Sequence, residues 1–212
     1  LAREIGGVAN SLYGKAFLKK RIDELRDAPR YEIDSRTDYP CYFIAVDPNA
    51  GGKNSHFAIC TVLSHHGRYA IIGMESYPTK SAKDNHRIII DHVNLLDESG
   101  LFDNSLKVFI LEANLGFESE HISHVLADNV SNSIVMDGNP KSDRVGFTTT
   151  NEMKRLAVEN LRTKLAEGSI AIASEKYMTC ISQSYTTIVE MLLTQLSEFS
   201  EVIKEPKNPE FH

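Results

Sequence analysis

With 212 residues, 42% of them hydrophobic, the chain can bury one substantial core, and a single globular unit with ragged ends is expected. A net charge of −6 argues against gripping nucleic acid by general electrostatics, so any such work must rely on metals, local basic patches or a partner. The odd, widely spaced cysteines Cys41, Cys60 and Cys180 exclude a disulfide framework or a Cys-x-x-Cys metal site, and no apolar run approaches the ~18 residues of a membrane span, so a reducing, intracellular setting without membrane contact is expected.

The chain starts at Leu1 without an initiator Met, a basic n-region or an apolar h-region, which reads as a soluble fragment of a longer protein. From Ser11 to Arg26, Leu18, Ile22 and Leu25 recur at helical spacing among Lys and Arg, predicting an amphipathic helix that Pro29 and the polar run 34–38 end. Cys41 to Val46 is apolar at every position between Pro40 and Pro48, the pattern of a central strand covered on both faces, with Asp47 at its end. The Gly51-Gly52 turn leads into His56–Ser64, and the His66-Gly67 turn into Tyr69–Met74, predicting an antiparallel meander.

Asp84 to Glu98 reads as a helix with Ile88, Ile89, His92, Leu95 and Leu96 on one face, and Lys107–Leu111 as a short buried strand ending in Glu112. Such a crossover helix permits this strand to lie parallel to the first. Glu118 to Asp128 is a further helix through Ile122, Val125 and Leu126, and Ser133–Met136 a strand before the loop 137–140. Thr150 is placed to cap a helix running to Glu167, with Met153, Leu156, Ala157, Leu161 and Leu165 inward and Gly168 past its end. Ile170–Ile172 then reads as an edge strand. A last helix carries Ile188, Val189, Leu192, Leu193, Leu196 and Phe199, and the tail from Glu205 reads as a loop.

Two hydrophobic strands therefore end in a carboxylate, Asp47 and Glu112. Ligands of open sheets gather beyond the carboxyl ends of strands, so parallel neighbours would bring the two acids side by side. Either acid alone is accounted for as the point where a buried strand meets solvent. Together they repel, and a divalent cation relieves the repulsion: Mg²⁺ uses one or two carboxylates, waters and phosphate oxygens. Two ions, Mg²⁺ or Mn²⁺, roughly 3.5–4 Å apart would suit phosphodiester hydrolysis, with Asp47 bridging both and Glu112 holding one.

Asp47-Pro48-Asn49-Ala50-Gly51-Gly52 followed by Glu112-Ala113-Asn114 resembles the nuclease domain of large terminase subunits, especially those of herpesviruses. Leu1-Ala2-Arg3-Glu4-Ile5-Gly6 resembles the segment joining their ATPase to the nuclease, and Thr149-Thr150-Asn151-Glu152-Met153-Lys154 the opening of a helix in that domain. The resemblance implies an α/β, ribonuclease H-like mixed sheet, an antiparallel meander plus parallel strands, flanked by helices. It divides the chain into a linker and N-terminal helix over 1–38 and a nuclease domain over 39–212. It further implies metal-dependent endonuclease action on concatemeric double-stranded viral DNA, with other terminase subunits and the portal as partners, in the host nucleus if herpesvirus-like and otherwise the host cytoplasm.

Asp47 and Glu112 match the family's first two acids. Its third lies in an Asp-Asp segment after the last long helix, whereas no Asp follows Asp143 here, so the domain is expected to be truncated and the third ligand to lie beyond His212. Asp143 itself reads as a solvated loop charge. Lys53, Asn114, Lys141 and Arg144 are the candidate substrate contacts, although basic clusters such as Lys19-Lys20-Arg21, Lys141 with Arg144 and Lys154-Arg155 are more often solvated faces. Gly51-Gly52-Lys53-Asn54 lacks the first Gly and the Ser or Thr of a phosphate loop, so no ATPase site is expected. His121 and His124 share a helix face without a third zinc ligand. Alternative readings are another ribonuclease H-like nuclease, a resolvase or exonuclease, and a non-catalytic docking module of a packaging motor.

Overall fold

The computed structural model describes residues 12–33, 41–48, 56–78, 81–98, 105–113, 118–138, 145–181 and 183–203. In chain order these form β1 (Leu12–Lys15), α1 (Lys19–Asp27), β2 (Cys41–Asp47), β3 (His56–His65), β4 (Arg68–Pro78), α2 (Ala82–Glu98), β5 (Leu106–Leu111), α3 (Glu118–Asn129), β6 (Ser133–Val135), α4 (Asn151–Ala166), β7 (Ile170–Ile172), α5 (Tyr185–Glu198) and β8 (Ser200–Ile203).

Six strands form one mixed sheet in the order β6-β5-β2-β3-β4-β7. β2, β3 and β4 are the antiparallel meander, and β5 and β6 extend it in parallel beside β2. The hairpin between β3 and β4 turns on His66 and Gly67, both at positive φ (48° and 73°), the backbone that matches the right-handed twist of paired strands. The second parallel element, β7, closes the other edge against β4.

One face of this sheet is sealed. Tyr42, Ile44 and Val46 of β2, Phe109 and Leu111 of β5, and Ile59 and Leu63 of β3 bury against Ile89, Val93 and Leu96 of α2 and Ile122 and Leu126 of α3. On the opposite face, α5 lays Ile188 on Ile71 and Met74 of β4, while α1 and α4 pack around Val189 and Leu193. Among the described residues this second layer packs on the β3–β4–β7 half. Ala45 and Asp47 of β2 stay exposed, as do Leu106, Ile134 and Met136 on and beside β5 and β6. The expectation that β2 is covered on both faces is thereby corrected: its second face is apolar in sequence but forms the floor of an open cleft.

Three further expectations are corrected. Leu12–Lys15 is a strand, not the start of a helix; it pairs antiparallel with β8, which lies between Phe199, the last position expected in the final helix, and the loop expected from Glu205. Gly14 disfavours a helix interior, and a strand partner 185 or more residues away is invisible to local periodicity. α1 consequently begins only at Lys19, and Leu18, expected on the buried face, is its 73% exposed N-cap. In α4, Thr150 caps as expected by accepting from Met153 N, but Leu156 and Ala157 face solvent and only Leu165 is buried. α2 likewise exposes Leu95 and buries Val93 instead.

A polar device sits inside the sealed layer. The fully buried His92 of α2 places Nε2 2.8 Å from Thr61 Oγ1 and Nδ1 3.7 Å from Glu75 Oε1. The ring lies so close to Gly73 that a Cβ there would come within 2.8 Å of His92 Cε1. Gly73 faces Thr61 beside the β3–β4 bulge, so the sheet gives way where the imidazole presses on it. Gly73→Ala is expected to overpack this contact and to destabilise the fold by about 1–3 kcal/mol, read as a lower urea midpoint with unchanged m-value.

Candidate functional site

β2 and β5 run parallel with Val46 opposite Leu111, and Glu112 N donates to Val46 O at 3.0 Å. The next position on each strand is an acid. Register partners in a sheet point to the same face, so Asp47 and Glu112 stand level on the open face, on backbones about 4.8 Å apart. Both line one cavity of about 520 Å³ together with Cys60, Phe147, Lys154 and Gln195. Asp47 is exposed and Glu112 half-buried. Two unit charges ~5 Å apart at an effective dielectric constant of ~20 repel by about 3 kcal/mol, so the pair favours a cation between them.

Local structure fixes each acid. Asp47 leaves β2 into Pro48, whose carbonyl accepts from the buried Asn85 Nδ2 at 3.0 Å, tying the strand end to the first turns of α2. Glu112 is held on both sides, by Val46 and by a parallel bridge to Phe147. Phe147 N donates to Leu111 O at 2.7 Å and Ala113 N to Phe147 O at 2.8 Å. Phe147 thus takes over as neighbour to β5 after β6 has ended. Gly146 makes this approach possible: its φ is +100°, and a Cβ would fall 2.5 Å from Leu111 O.

α4 and α5 form the opposite wall. Thr149 precedes the α4 cap, Lys154 sits near its start, and Met191 and Gln195 come from α5. Lys154 places positive charge near the positive end of the helix dipole, an unfavourable position, and lines the same cavity as the two carboxylates. The sequence offers Lys154 in a basic pair and in the helix-opening motif without a place in the site, and it gives no role to Asn85, Gly146, Phe147 or Gln195. A Gly-Phe pair just before a capped helix was the one available sign. Lys53, Asn114, Lys141, Arg144 and Asp143 lie outside the described residues, as does the Gly51-Gly52 turn. His121 and His124 are both exposed on α3.

The donors present are hard carboxylate oxygens, which fit Mg²⁺ or Mn²⁺ and not a thiolate-type metal. Among the described residues no group of three or more His, Cys, Asp or Glu is arranged to hold an ion. The nearby thiol is no alternative nucleophile at neutral pH, because burial pushes Cys60 up to about 11.

No family model matches the chain, and no curated protein matches it. Among solved structures it is similar to the human cytomegalovirus terminase nuclease domain. With the manganese-soaked, inhibitor-bound form the TM-score is 0.68 at 18% identity, over 87% of this chain and 86% of that one. With the manganese-soaked form it is 0.64 at 19% identity, over 91% and 89%. With the domain alone it is 0.62 at 15% identity, over 86% and 88%. The α/β, ribonuclease H-like fold, a mixed sheet flanked by helices, is therefore shared with that domain.

Two outcomes follow from the site's construction. Gly146→Ala should shift the Phe147 strand away from β5, lowering stability by about 1–3 kcal/mol in thermal unfolding. The Cys60 thiol stays neutral in the fold to about pH 11, whereas in the unfolded chain it ionises near 9. Its contribution is full below pH 9 and lost between 9 and 11 as unfolded thiolate forms, so stability should fall across that window and Cys60→Ala should flatten the fall.

Proposed function

We propose that this chain is a divalent-metal-dependent nuclease of the terminase type, cutting double-stranded DNA during the packaging of concatemeric viral genomes. The observation that carries the reading is the in-register pair Asp47 and Glu112, level on adjacent parallel strands at the mouth of a cavity that Lys154 also lines. The likeness in fold to a terminase nuclease domain that has been soaked with manganese supports it.

In this reading Asp47 and Glu112 hold the ions, Mg²⁺ or Mn²⁺, two in number. When bound, they supply Lewis acidity for phosphodiester hydrolysis. The chain's own residues do the rest. Lys154 contacts a phosphate oxygen of the strand being cut and offsets its charge. Asn85 and Phe147 keep the two acids level, and Met191 with Gln195 bounds the wall against which the backbone lies. Lys53, Asn114, Lys141 and Arg144 extend the contact along the duplex, and other terminase subunits and the portal bring the concatemer to it. Since net charge is −6, the affinity for DNA rests on these local cations and the ions, with little sequence readout.

Supercoiled plasmid incubated with the protein and Mn²⁺ should yield linear and then degraded products. Asp47→Ala and Glu112→Ala should each abolish them, while Lys154→Ala should slow cutting about 10²-fold, the usual cost of losing one charge-stabilising donor. Mg²⁺ or Mn²⁺ should also raise the thermal midpoint of the wild type and not of Asp47→Ala. No cleavage together with no midpoint shift in any of Mg²⁺, Mn²⁺ and Ca²⁺ would overturn the assignment.

A further inference from the structure

The floor of the cleft is ordered in two rows. β2, β3 and β4 set Asp47, Ala58 and Ser76 opposite one another, while β5 adds Glu112 level with Asp47, and Phe147 bridges to Glu112 beyond it. Register partners share a face, and all five residues line the same cavity. One step inward, Met74, Cys60, Ala45 and Ile110 are partners in turn and form a second row without a charged or hydroxyl group. A phosphodiester backbone laid in the cleft is therefore confined to the outer row, since an anion over the inner one would lose water without gaining a partner.

The outer row changes character along its length. At the β5 side stand two carboxylates, which when ionised only accept hydrogen bonds; at the β4 side stands the Ser76 hydroxyl, on a backbone two strand spacings or about 10 Å from Asp47. Ser76 Oγ lies 3.3 Å from Nδ1 of His56, an exposed residue on the cleft face two positions before Ala58. Whichever group donates in that contact, a donor is left over: the ring Nε2–H if the hydroxyl donates, the hydroxyl O–H if the ring does. Among the described residues His56 has no other polar partner. The pair therefore keeps an N–H or O–H to offer in either tautomer, and an anion oxygen is what such a pair suits.

We propose that His56 and Ser76 bind a second phosphate of the strand being cut, so that this strand crosses the sheet from β5 toward β4. The inference rests on the nuclease reading and adds to it a direction for the strand and a second anchoring point. Phosphates of one strand advance ~3.4 Å each along a duplex axis, so a separation of about 10 Å spans at most three nucleotides, and fewer where the backbone is extended. Contacts to phosphate fix position without reading sequence, which makes the pair a positioning device for the bond held at Asp47 and Glu112. Ala58, the smallest side chain of the row, leaves the path between the two anchoring points clear.

Binding of a short labelled duplex in Ca²⁺ and cutting of plasmid in Mn²⁺, both on the whole chain, test it. The His56→Ala, Ser76→Ala double variant should bind the duplex about 10-fold more weakly, the usual cost of one hydrogen bond to a charged group, and raise KM by about the same factor with kcat within about twofold of wild type. His56→Lys should keep binding and steepen the dependence of log Kd on log salt by about one, whereas His124→Lys, the same change at an exposed site on α3, should leave the slope alone. The rise in thermal midpoint that Mn²⁺ produces should be the same in the double variant as in wild type, because neither residue holds an ion. Equal binding and KM in the double variant, an unchanged salt slope in His56→Lys, or loss of the Mn²⁺ shift in a variant that still unfolds cooperatively overturns the inference and leaves the nuclease reading standing. A wild type that neither binds the duplex nor cuts plasmid overturns both.

Discussion

The parallel ladder between β2 and β5 is the constraint on which the molecule depends. A shift of one residue along either strand would turn one acid toward the sealed core while the other stayed in the cleft, because side chains alternate faces with a period of two. Register is set by the sealed face: Tyr42, Ile44 and Val46 can bury only in the register that also buries Phe109 and Leu111. The hydrophobic pattern therefore aligns two polar residues that make no contribution to the core. Packing energy on one face becomes charge geometry on the other.

That alignment is useful only because the second face is left partly bare. Parallel strands are usually covered on both sides. Here α5 stops over β3 and β4, and Ala45 and Asp47 at the end of β2 stay exposed. A complete second layer would bury more apolar area and would also fill the cavity. The small side chain at Ala45 is consistent with this division, since a larger residue would occupy the floor between the acids and the helical wall.

Much of this was legible in the sequence for a physical reason: two separate apolar runs each end in an acid, and the turns at His66-Gly67 and Gly168 need backbone that few residues adopt. Strand identity, the α2 crossover and the Thr150 cap all follow from local chemistry. What periodicity could not supply was anything set by a distant partner. β1 forms because β8 pairs with it, so Leu12–Lys15 reads as the start of a helix until its partner is known. Leu156 is apolar and at helical spacing, yet no described element seals it, and it stays exposed. Lys154 enters the site through the placement of α4, which no spacing within the helix encodes.

The placement of that wall rests on directional bonds more than on area. Apolar contact holds Ile188 on Ile71 and Met74 but leaves α5 able to slide, since burial is non-directional. The buried Glu75 supplies what is missing: one oxygen accepts from Ile181 N, just ahead of α5, and the other from Tyr77 OH at 2.9 Å. The same carboxylate faces His92, which Thr61 holds from the other side. A buried carboxylate is costly unless its oxygens are satisfied, so the network tolerates one arrangement of the segment leading into α5 and penalises its neighbours. Met191 and Gln195 reach the cavity from a helix fixed in this way, and the distance between the acids and their facing wall becomes a property of a polar core rather than of loose hydrophobic contact.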